Sequence, residues 1–224
     1  MPAAKMTRDE ALDRITEVFR SRGYEGASLR LISEATGLGR ASLYHHFPGG
    51  KEEMAQAVFV HIGDRVSRDL VAPLSGPGTP RERLERHARG VARLYEDGAR
   101  NCLLGAMVLG GGAKLFATQI EGQIRGWIGV LSGVAIEDGV PADLARDRAT
   151  DVVARIQGAL IVSRGLGSTD HFHRVLEELP DTVLGGPTDG RPRARPGPTS
   201  AASARPPSPP STGRAPPRSP RRPA

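Results

Sequence analysis

Residues 28–47 read SLRLISEATGLGRASLYHHF, and this stretch decides the fold. It predicts a short helix that begins after Ser28, a glycine-containing turn at 37–39, and a second short helix over 40–47. Gly37 permits a backbone turn that a β-carbon would hinder. The apolar residues that should point inward and fix the angle between the two helices are Leu29, Ile32, Ala35, Leu38 and Leu43. The pattern is that of a helix-turn-helix, whose second helix can enter a major groove about 12 Å wide.

Residues on both sides of this stretch predict further helices. Apolar side chains recur at helical spacing over 7–22, and a threonine and a glutamate three residues apart form a capping box at the start. Gly23 is expected to end that helix. After a Pro-Gly-Gly break at 48–50, a long helix is predicted over 51–70, because apolar residues recur every fourth position. These residues are Met54, Val58, Ile62 and Val66.

The chain also has a helical pattern from residue 80 to residue 184. A loop at 73–80 is followed by predicted helices over 80–97, 103–117, 118–136, 142–165 and 170–184. No segment shows the alternation of polar and apolar residues that is typical of a strand. The sequence therefore predicts an all-α fold.

The composition restricts the class of protein. Of the 224 residues, 38% are hydrophobic and only 4% aromatic, so the core must consist mainly of Leu, Val, Ile and Ala. The single cysteine, Cys102, excludes an internal disulfide and a cysteine-rich zinc site, and fits a reducing compartment. The first residues lead into a charged amphipathic segment rather than a signal peptide, and the apolar run at 102–109 is far shorter than a membrane span. We expect a cytoplasmic protein with no membrane partner.

The positive charge is concentrated near the C-terminal end. The chain has a net charge of +6, but residues 187–224 contain eight Arg and one Asp, a net of +7, which leaves −1 for the remainder. The basic character of the whole chain is therefore no argument that its folded part binds nucleic acid. Residues 185–224 also hold twelve of the 19 prolines and no Leu, Ile, Phe, Tyr or Trp, which predicts a disordered Pro/Arg-rich tail.

The helix-turn-helix and the residues after it resemble the tetracycline-repressor (TetR) family of bacterial regulators. The family pattern is a hydroxyl residue, Leu-Arg, an apolar-small pair, a Gly-apolar turn, a variable helix, and Leu-Tyr-x-His-Phe followed by Lys-Glu. The matching positions here are Ser28, Leu29-Arg30, Ile32-Ser33, Gly37-Leu38, Leu43-Tyr44-His45-His46-Phe47 and Lys51-Glu52. Three departures are mild: Ser28 for Thr, Ser33 for Ala, and Gly39 for Ser or Thr. The stretches PGGKEEM at 48–54 and CLLGA at 102–106 resemble the branch of lincomycin-resistance repressors.

The resemblance implies a division of the chain and a set of DNA contacts. Residues 1–50 would form a three-helix DNA-binding domain, and residues 51–184 a helical ligand-binding and dimerisation domain. Phosphate contacts are implied for Ser28, Tyr44, His45 and Lys51. Base contacts are implied at the start of the second helix, for Arg40, Ala41 and Ser42.

The resemblance also implies how such a protein works. A homodimeric repressor would bind a palindromic double-stranded DNA operator and leave it when an apolar or amphipathic small molecule displaces the helix over 51–70. The dimer interface would use the helices at 142–165 and 170–184, where Val153, Ile156, Leu160 and Ile161 form an apolar stripe. No cofactor is expected. The predicted effector pocket is lined by Leu103, Leu104, Met107, Phe116, Gln123, Trp127 and Leu131, and Trp127 fits a core position equally well.

Two other functions share parts of this pattern. An activator could carry the same DNA-binding motif, and a small helical enzyme could use the C-terminal pocket. No paired carboxylates, nucleophile–base pair or metal cluster supports an enzyme, so no catalytic or metal residue is predicted. His171 and His173 are two positions apart and do not share a helix face. Cys102 opens an apolar run and is expected to be a small buried side chain.

Overall fold

The computed structural model of the protein describes residues 6–108 and 111–186, and all regular elements within these ranges are helical. The all-α prediction is therefore confirmed for the described residues. The α-helices are α1 Arg8–Gly26, α2 Leu29–Thr36, α3 Arg40–His46, α4 Gly50–Val66, α5 Pro80–Leu94, α6 Leu103–Val108, α7 Gly112–Leu115, α8 Ala117–Glu137, α9 Ala142–Leu166, α10 Asp170–Glu177 and α11 Leu179–Leu184. A π-helical turn, Ser67–Val71, follows α4 directly. The tail predicted from residue 185 lies, from residue 187 onward, outside the described residues.

The first helices begin and end at the predicted signals. Thr7 Oγ1 accepts from the backbone N–H of Glu10 at 3.2 Å, and the Thr7 N–H donates to Glu10 Oε2 at 2.8 Å, which completes the capping box. Ser28 caps α2, since its Oγ accepts from the N–H of Leu31 at 3.2 Å. Gly37 ends α2 in the left-handed region with φ +70°. Side-chain and backbone caps therefore set the lengths of these short helices.

Helix α1 differs from its prediction at its C-terminal end. Gly23 leaves helical geometry at φ +66°, as expected, but the chain then adds one more turn to Gly26. The break at Gly23 also allows a close approach to α6, because a β-carbon there would lie 3.1 Å from the carbonyl oxygen of Ala106. The left-handed glycine thus brings the end of α1 against α6.

Two predicted helices are each divided in two. The helix expected over 103–117 is α6 and α7, and a β-carbon on Gly112 would lie 2.5 Å from the Met107 carbonyl oxygen, so the tight approach requires glycine. The helix expected over 170–184 ends at Glu177, and α11 starts afresh with Pro180 in its first turn. Proline has no N–H to donate, so it is tolerated at a helix start and interrupts a continuous helix.

Two groups of buried apolar side chains form the core. The N-terminal cluster joins residues of α1–α4 to four residues from further along the chain: Leu103, Met107, Phe116 and Ile120. The C-terminal cluster joins Leu70 and Leu74 to residues of α5 and α8–α11. The first three helices therefore complete their apolar core with side chains from α6 to α8.

The apolar stripe predicted on α9 for a dimer interface is mostly internal. Val153, Ile156 and Leu160 are buried in the C-terminal cluster, whereas Ile161 is 74% exposed. At 3.6 residues per turn, Ile161 is rotated about 100° from Leu160, so the two cannot share a face. The outer side of α9 instead presents Gly158, Val162 and Gly165.

No described helix is both long and apolar enough to cross a membrane.

Candidate functional site

Helix α3 presents its polar side chains to solvent. Arg40, Ala41, Ser42, Tyr44 and His45 are all exposed, with Tyr44 at 47%. The same short helix buries Leu43, and Phe47 is buried directly after it. The structure thus brings the predicted base-contacting residues and two of the predicted phosphate-contacting residues onto one open surface.

The turn between α2 and α3 is held by hydrogen bonds from small hydroxyl side chains. Ser33 Oγ donates to the Leu38 carbonyl at 2.6 Å, and buried Thr36 Oγ1 donates to the Ile32 carbonyl at 2.7 Å. Arg14 of α1 donates to the Ala35 carbonyl at 3.3 Å, which ties α1 to α2. These bonds fix the end of α2 and the turn that leads into α3, and so restrict how α3 can be oriented.

The two remaining predicted phosphate contacts lie at helix N-termini. Ser28 is exposed and caps α2. Lys51 lies in the first turn of α4, where its Nζ donates to the Tyr24 carbonyl at 3.0 Å and lies 4.4 Å from the centre of the Tyr24 ring. The Lys51 ammonium group is therefore held by α1 in this structure, an arrangement that the sequence pattern did not predict.

Helix α4 connects this surface to the rest of the chain. Its His61 and Arg65 both contact Asp13 Oδ1 of α1, at 2.9 and 3.2 Å. Inward-facing residues of α4 pack in the N-terminal cluster, as their four-residue spacing predicted: Met54, Val58 and Ile62 are buried and Val66 is partly buried. A displacement of α4 would therefore also displace α1.

A small cavity of about 40 Å³ lies where α4 ends. Ile62, Val66 and Leu70 form one side of it. Four of the residues predicted for an effector pocket also line it: Leu103, Leu104, Gln123 and Trp127. The other three are packed elsewhere, Met107 and Phe116 in the N-terminal cluster and Leu131 in the C-terminal cluster. The cavity is large enough for about one water molecule, so a larger ligand requires its walls to separate.

Trp127 connects this cavity to the end of α4 through a buried histidine. Its indole Nε1–H donates to His87 Nε2 at 3.1 Å, so the neutral imidazole carries its hydrogen on Nδ1. His87 Nδ1 then donates to the Leu70 carbonyl at 2.9 Å, within the π-helical turn. Burial lowers the pKa of His87 to about 4, which keeps the ring neutral near pH 7.

Neither His87, the buried partner of Trp127, nor Arg20, which lines the cavity, was predicted from the sequence. A signal for His87 was present, because Leu84, His87, Ala88 and Val91 recur at helical spacing on the buried face of α5. No group of three or more His, Cys, Asp or Glu side chains that could hold a metal ion occurs in the described part of the chain. Cys102 is buried, and Tyr95 Oη donates to its Sγ at 3.5 Å.

Comparison with protein families identifies two matching regions. Residues 11–58 match the family described as bacterial regulatory proteins, tetR family, and residues 80–178 match the C-terminal domain of LmrA/YxaF-like transcriptional regulators. The two matches cover different parts of the chain and together span about two thirds of it. The first contains α2 and α3 complete, and the second contains the cavity residues from Leu94 to Trp127.

Individual relatives agree with these families. The HTH-type transcriptional regulator LmrA of Bacillus subtilis (strain 168) is 21% identical over 186 residues, which is 79% of this chain and 96% of LmrA. The HTH-type transcriptional repressor AcnR of Corynebacterium efficiens is 42% identical over 52 residues, 23% of this chain and 27% of AcnR. A cysteine variant of the TetR-family regulator CifR, solved with 26-base-pair operator DNA, superimposes with a TM-score of 0.66 at 25% identity, covering 82% of this chain and 99% of CifR.

Proposed function

Because the chain belongs to the TetR family of bacterial regulatory proteins, in its LmrA/YxaF-like branch, we propose that it is a homodimeric repressor that binds a palindromic operator and leaves it when a small molecule binds. Family membership makes it a transcriptional regulator and not an enzyme. The observation that carries the proposal is the open polar surface of α3 above buried Leu43 and Phe47. The protein would act in the cytoplasm, where its operator lies.

We assign two kinds of DNA contact on this surface. Arg40, Ala41 and Ser42 would meet base edges, and the guanidinium of Arg40 suits the two acceptors of a guanine. Tyr44, His45 and the capping hydroxyl of Ser28 would contact phosphates. Lys51 would join them by leaving the Tyr24 carbonyl that it contacts in this structure.

The two kinds of contact are separable by mutation. The DNA is an operator selected from a random pool by the wild-type protein, and binding is followed by fluorescence anisotropy. Arg40→Ala should relax preference at one base pair per half-site, at about 1–3 kcal/mol. Tyr44→Phe should weaken operator and random DNA by the same factor, and Arg125→Ala on the exposed side of α8 is the control. Equal losses on operator and random DNA for Arg40→Ala would contradict the base contact.

We propose that the outer side of α9, together with α10 and α11, forms the dimer interface. No atom outside the helix backbone lies within 4 Å of a β-carbon built on Gly158 or Gly165, so these positions allow a second helix to approach closely. A dimer would place two α3 helices in grooves one helical turn apart, about 34–36 Å, or somewhat further. The exposed apolar side chains on α9 that such an interface would cover include Val162 and Leu166.

Glutamate substitution tests this interface without disturbing the protomer. Gly158→Glu adds a charged side chain in open space, so the protomer should fold but sediment as a monomer and fail to saturate the operator. Gly126→Glu on α8 is the matched control, because its β-carbon also meets open space on an exposed helix face. A dimeric Gly158→Glu protein would place the interface elsewhere.

Release from DNA would begin at the cavity beside Trp127. An apolar or amphipathic ligand that separates its walls pushes on Ile62, Val66 and Leu70, and therefore on the end of α4. Ligand and operator must then weaken each other's binding by the same factor, typically worth about 1–3 kcal/mol. A true effector should change Trp127 fluorescence and release operator over one concentration range. Trp127→Phe should keep operator binding and change effector affinity. If the variant instead loses operator binding while its response to the effector is unchanged, Trp127 has a purely structural role.

A further inference from the structure

A second and larger space lies on the other side of Arg20 and Cys102. It is a cleft of about 550 Å³ between the end of α1, the start of α6 and the C-terminal half of α9. Arg20 and Cys102 line both this cleft and the small cavity beside Trp127. The cleft falls in the range of about 300–1,000 Å³ that is usual for small-molecule sites.

The walls of the cleft combine apolar surface with an excess of positive charge. Ala106, Leu160 and Ile161 supply apolar atoms. Three arginines, Arg20, Arg22 and Arg164, line the cleft against a single carboxylate, that of Glu25. A molecule that matches these walls has an apolar part and a negative charge.

Among the charged side chains that line the cleft, Arg20 is the one that is buried, whereas Arg22, Glu25 and Arg164 are exposed. Its side chain is only 5% exposed, its Nε contacts Glu17 Oε1 at 3.2 Å, and its Nη1 donates to the Asn101 carbonyl at 2.6 Å. These two bonds use Nε and Nη1 of the guanidinium. Glu17 Oε1 also accepts from Arg100, so one carboxylate oxygen serves two guanidinium groups. Burial lowers the pKa of Arg20, as expected of a guanidinium whose negative partner is shared.

We propose that this cleft binds an amphipathic carboxylate, whose charged group pairs with Arg20 while its apolar part lies against Ala106, Leu160 and Ile161. Arg20 would bind the carboxylate through Nη2, and Arg164 at the rim would add a second positive charge. A planar guanidinium suits a carboxylate because it offers two parallel N–H donors.

The proposal rests on the proposed function in one respect, namely that the bound carboxylate acts as an effector. Arg20 belongs to α1; its bond to Glu17 lies within that helix, and its bond to the Asn101 carbonyl ties α1 to the segment before α6. A carboxylate that draws the guanidinium towards the cleft weakens these two bonds. Binding in the cleft would therefore be communicated to α1 directly, without passing through α4.

Octanoate and its neutral counterpart octanamide test the charge requirement. Titration calorimetry on the full chain should show that octanoate binds at least tenfold more tightly than octanamide, since only octanoate pairs with Arg20. Arg20→Gln should remove this preference, whereas the control Arg125→Gln on α8 should keep it. Equal affinities of the wild-type protein for the two compounds would overturn the proposal.

A second variant keeps the test decisive if Arg20→Gln fails to fold. Gly105 lines the cleft, and a β-carbon there makes only ordinary contacts, 3.7 Å from Cys102 Cβ and 3.8 Å from Gln157 Oε1. Gly105→Leu should therefore fold and fill the cleft, with octanoate binding reduced at least tenfold. Unchanged octanoate binding in this variant would place the ligand elsewhere. Operator binding is measured on the same samples, so a protein that binds operator but not octanoate refutes the cleft while leaving the proposed function intact.

Discussion

The buried pair of His87 and Trp127 makes the stability of the protein depend on pH in a way that one substitution should remove. His87 is 0% exposed, and its ring donates to the Leu70 carbonyl while accepting from Trp127. A protonated ring could no longer accept the indole N–H, and its charge would be buried. The folded protein therefore holds His87 neutral, whereas the unfolded chain protonates it at its ordinary pKa of 6.5.

The size of the effect follows from the two pKa values. The folded pKa of about 4 lies below the unfolded value of 6.5, so the stabilisation is fully present above pH 6.5 and is lost as the pH falls towards 4. Each unit of difference corresponds to about 1.4 kcal/mol, so the full loss is about 3 kcal/mol. Between pH 7.5 and pH 5 the unfolded chain gains most of one proton, and about 2 kcal/mol of stability is lost.

Urea unfolding of the wild type and of His87→Gln, followed by far-ultraviolet circular dichroism at fixed protein concentration, measures this term. His87→Gln should be less stable at pH 7.5, because two buried hydrogen bonds are disturbed. The difference between the two proteins should then shrink by about 2 kcal/mol at pH 5, since only the wild type loses the histidine contribution. His45→Gln controls for replacement of an exposed histidine. If the wild type and His87→Gln lose stability in parallel from pH 7.5 to pH 5, His87 is not held neutral as we argue.

Three further substitutions test a close contact between helices, a helix cap and a shared ion pair. Gly90→Ala should destabilise the protein by about 1–3 kcal/mol in urea unfolding, because its β-carbon would lie 2.6 Å from the Asp69 carbonyl oxygen, whereas Gly122→Ala in open space should not destabilise it; equal effects would contradict the close contact. Thr7→Ala removes the capping box of α1 and should lower the unfolding free energy by about 1 kcal/mol, and an unchanged midpoint would show that the cap contributes nothing. Glu17→Gln leaves Arg20 and Arg100 without their shared carboxylate, so the midpoint of thermal unfolding should fall. The same substitution should lower the midpoint less in the Arg100→Gln background, measured against Arg100→Gln alone. An unchanged midpoint in Glu17→Gln would mean that the shared pairing is not stabilising.

The sequence predicted those features that depend on local chemistry. Caps at Thr7 and Ser28 and the turn at Gly37 lie where expected, because each is determined by residues within one helical turn. The exposed start of α3 was predictable for the same reason. The position of Lys51 was not, because its partner Tyr24 is brought to it only by the packing of α1 against α4.

Features that depend on distant contacts were missed or misplaced. Helical periodicity identified the apolar positions of α9 but did not show which side faces the core, so Val153, Ile156 and Leu160 were assigned to a surface. The charged wall residue Arg20 and its partner Asn101 are 81 positions apart, and no sequence pattern joins them. The partner of Trp127 was not predicted, because the pocket residues were sought within 100–131, whereas the Trp127 indole donates to His87 of α5.

The shared N-terminal cluster limits how such a regulator can be rebuilt. Because Leu103, Met107, Phe116 and Ile120 complete the apolar core under α1–α4, we expect α1–α4 to unfold together with the segment that carries these four side chains. A chimaera that joins residues 1–50 to the ligand-binding domain of another protein would lack these four side chains, and the apolar faces that pack against them would be exposed. Operator specificity should therefore be transplanted by exchanging only the outward residues of α3, or by carrying residues 103–120 along with the first four helices.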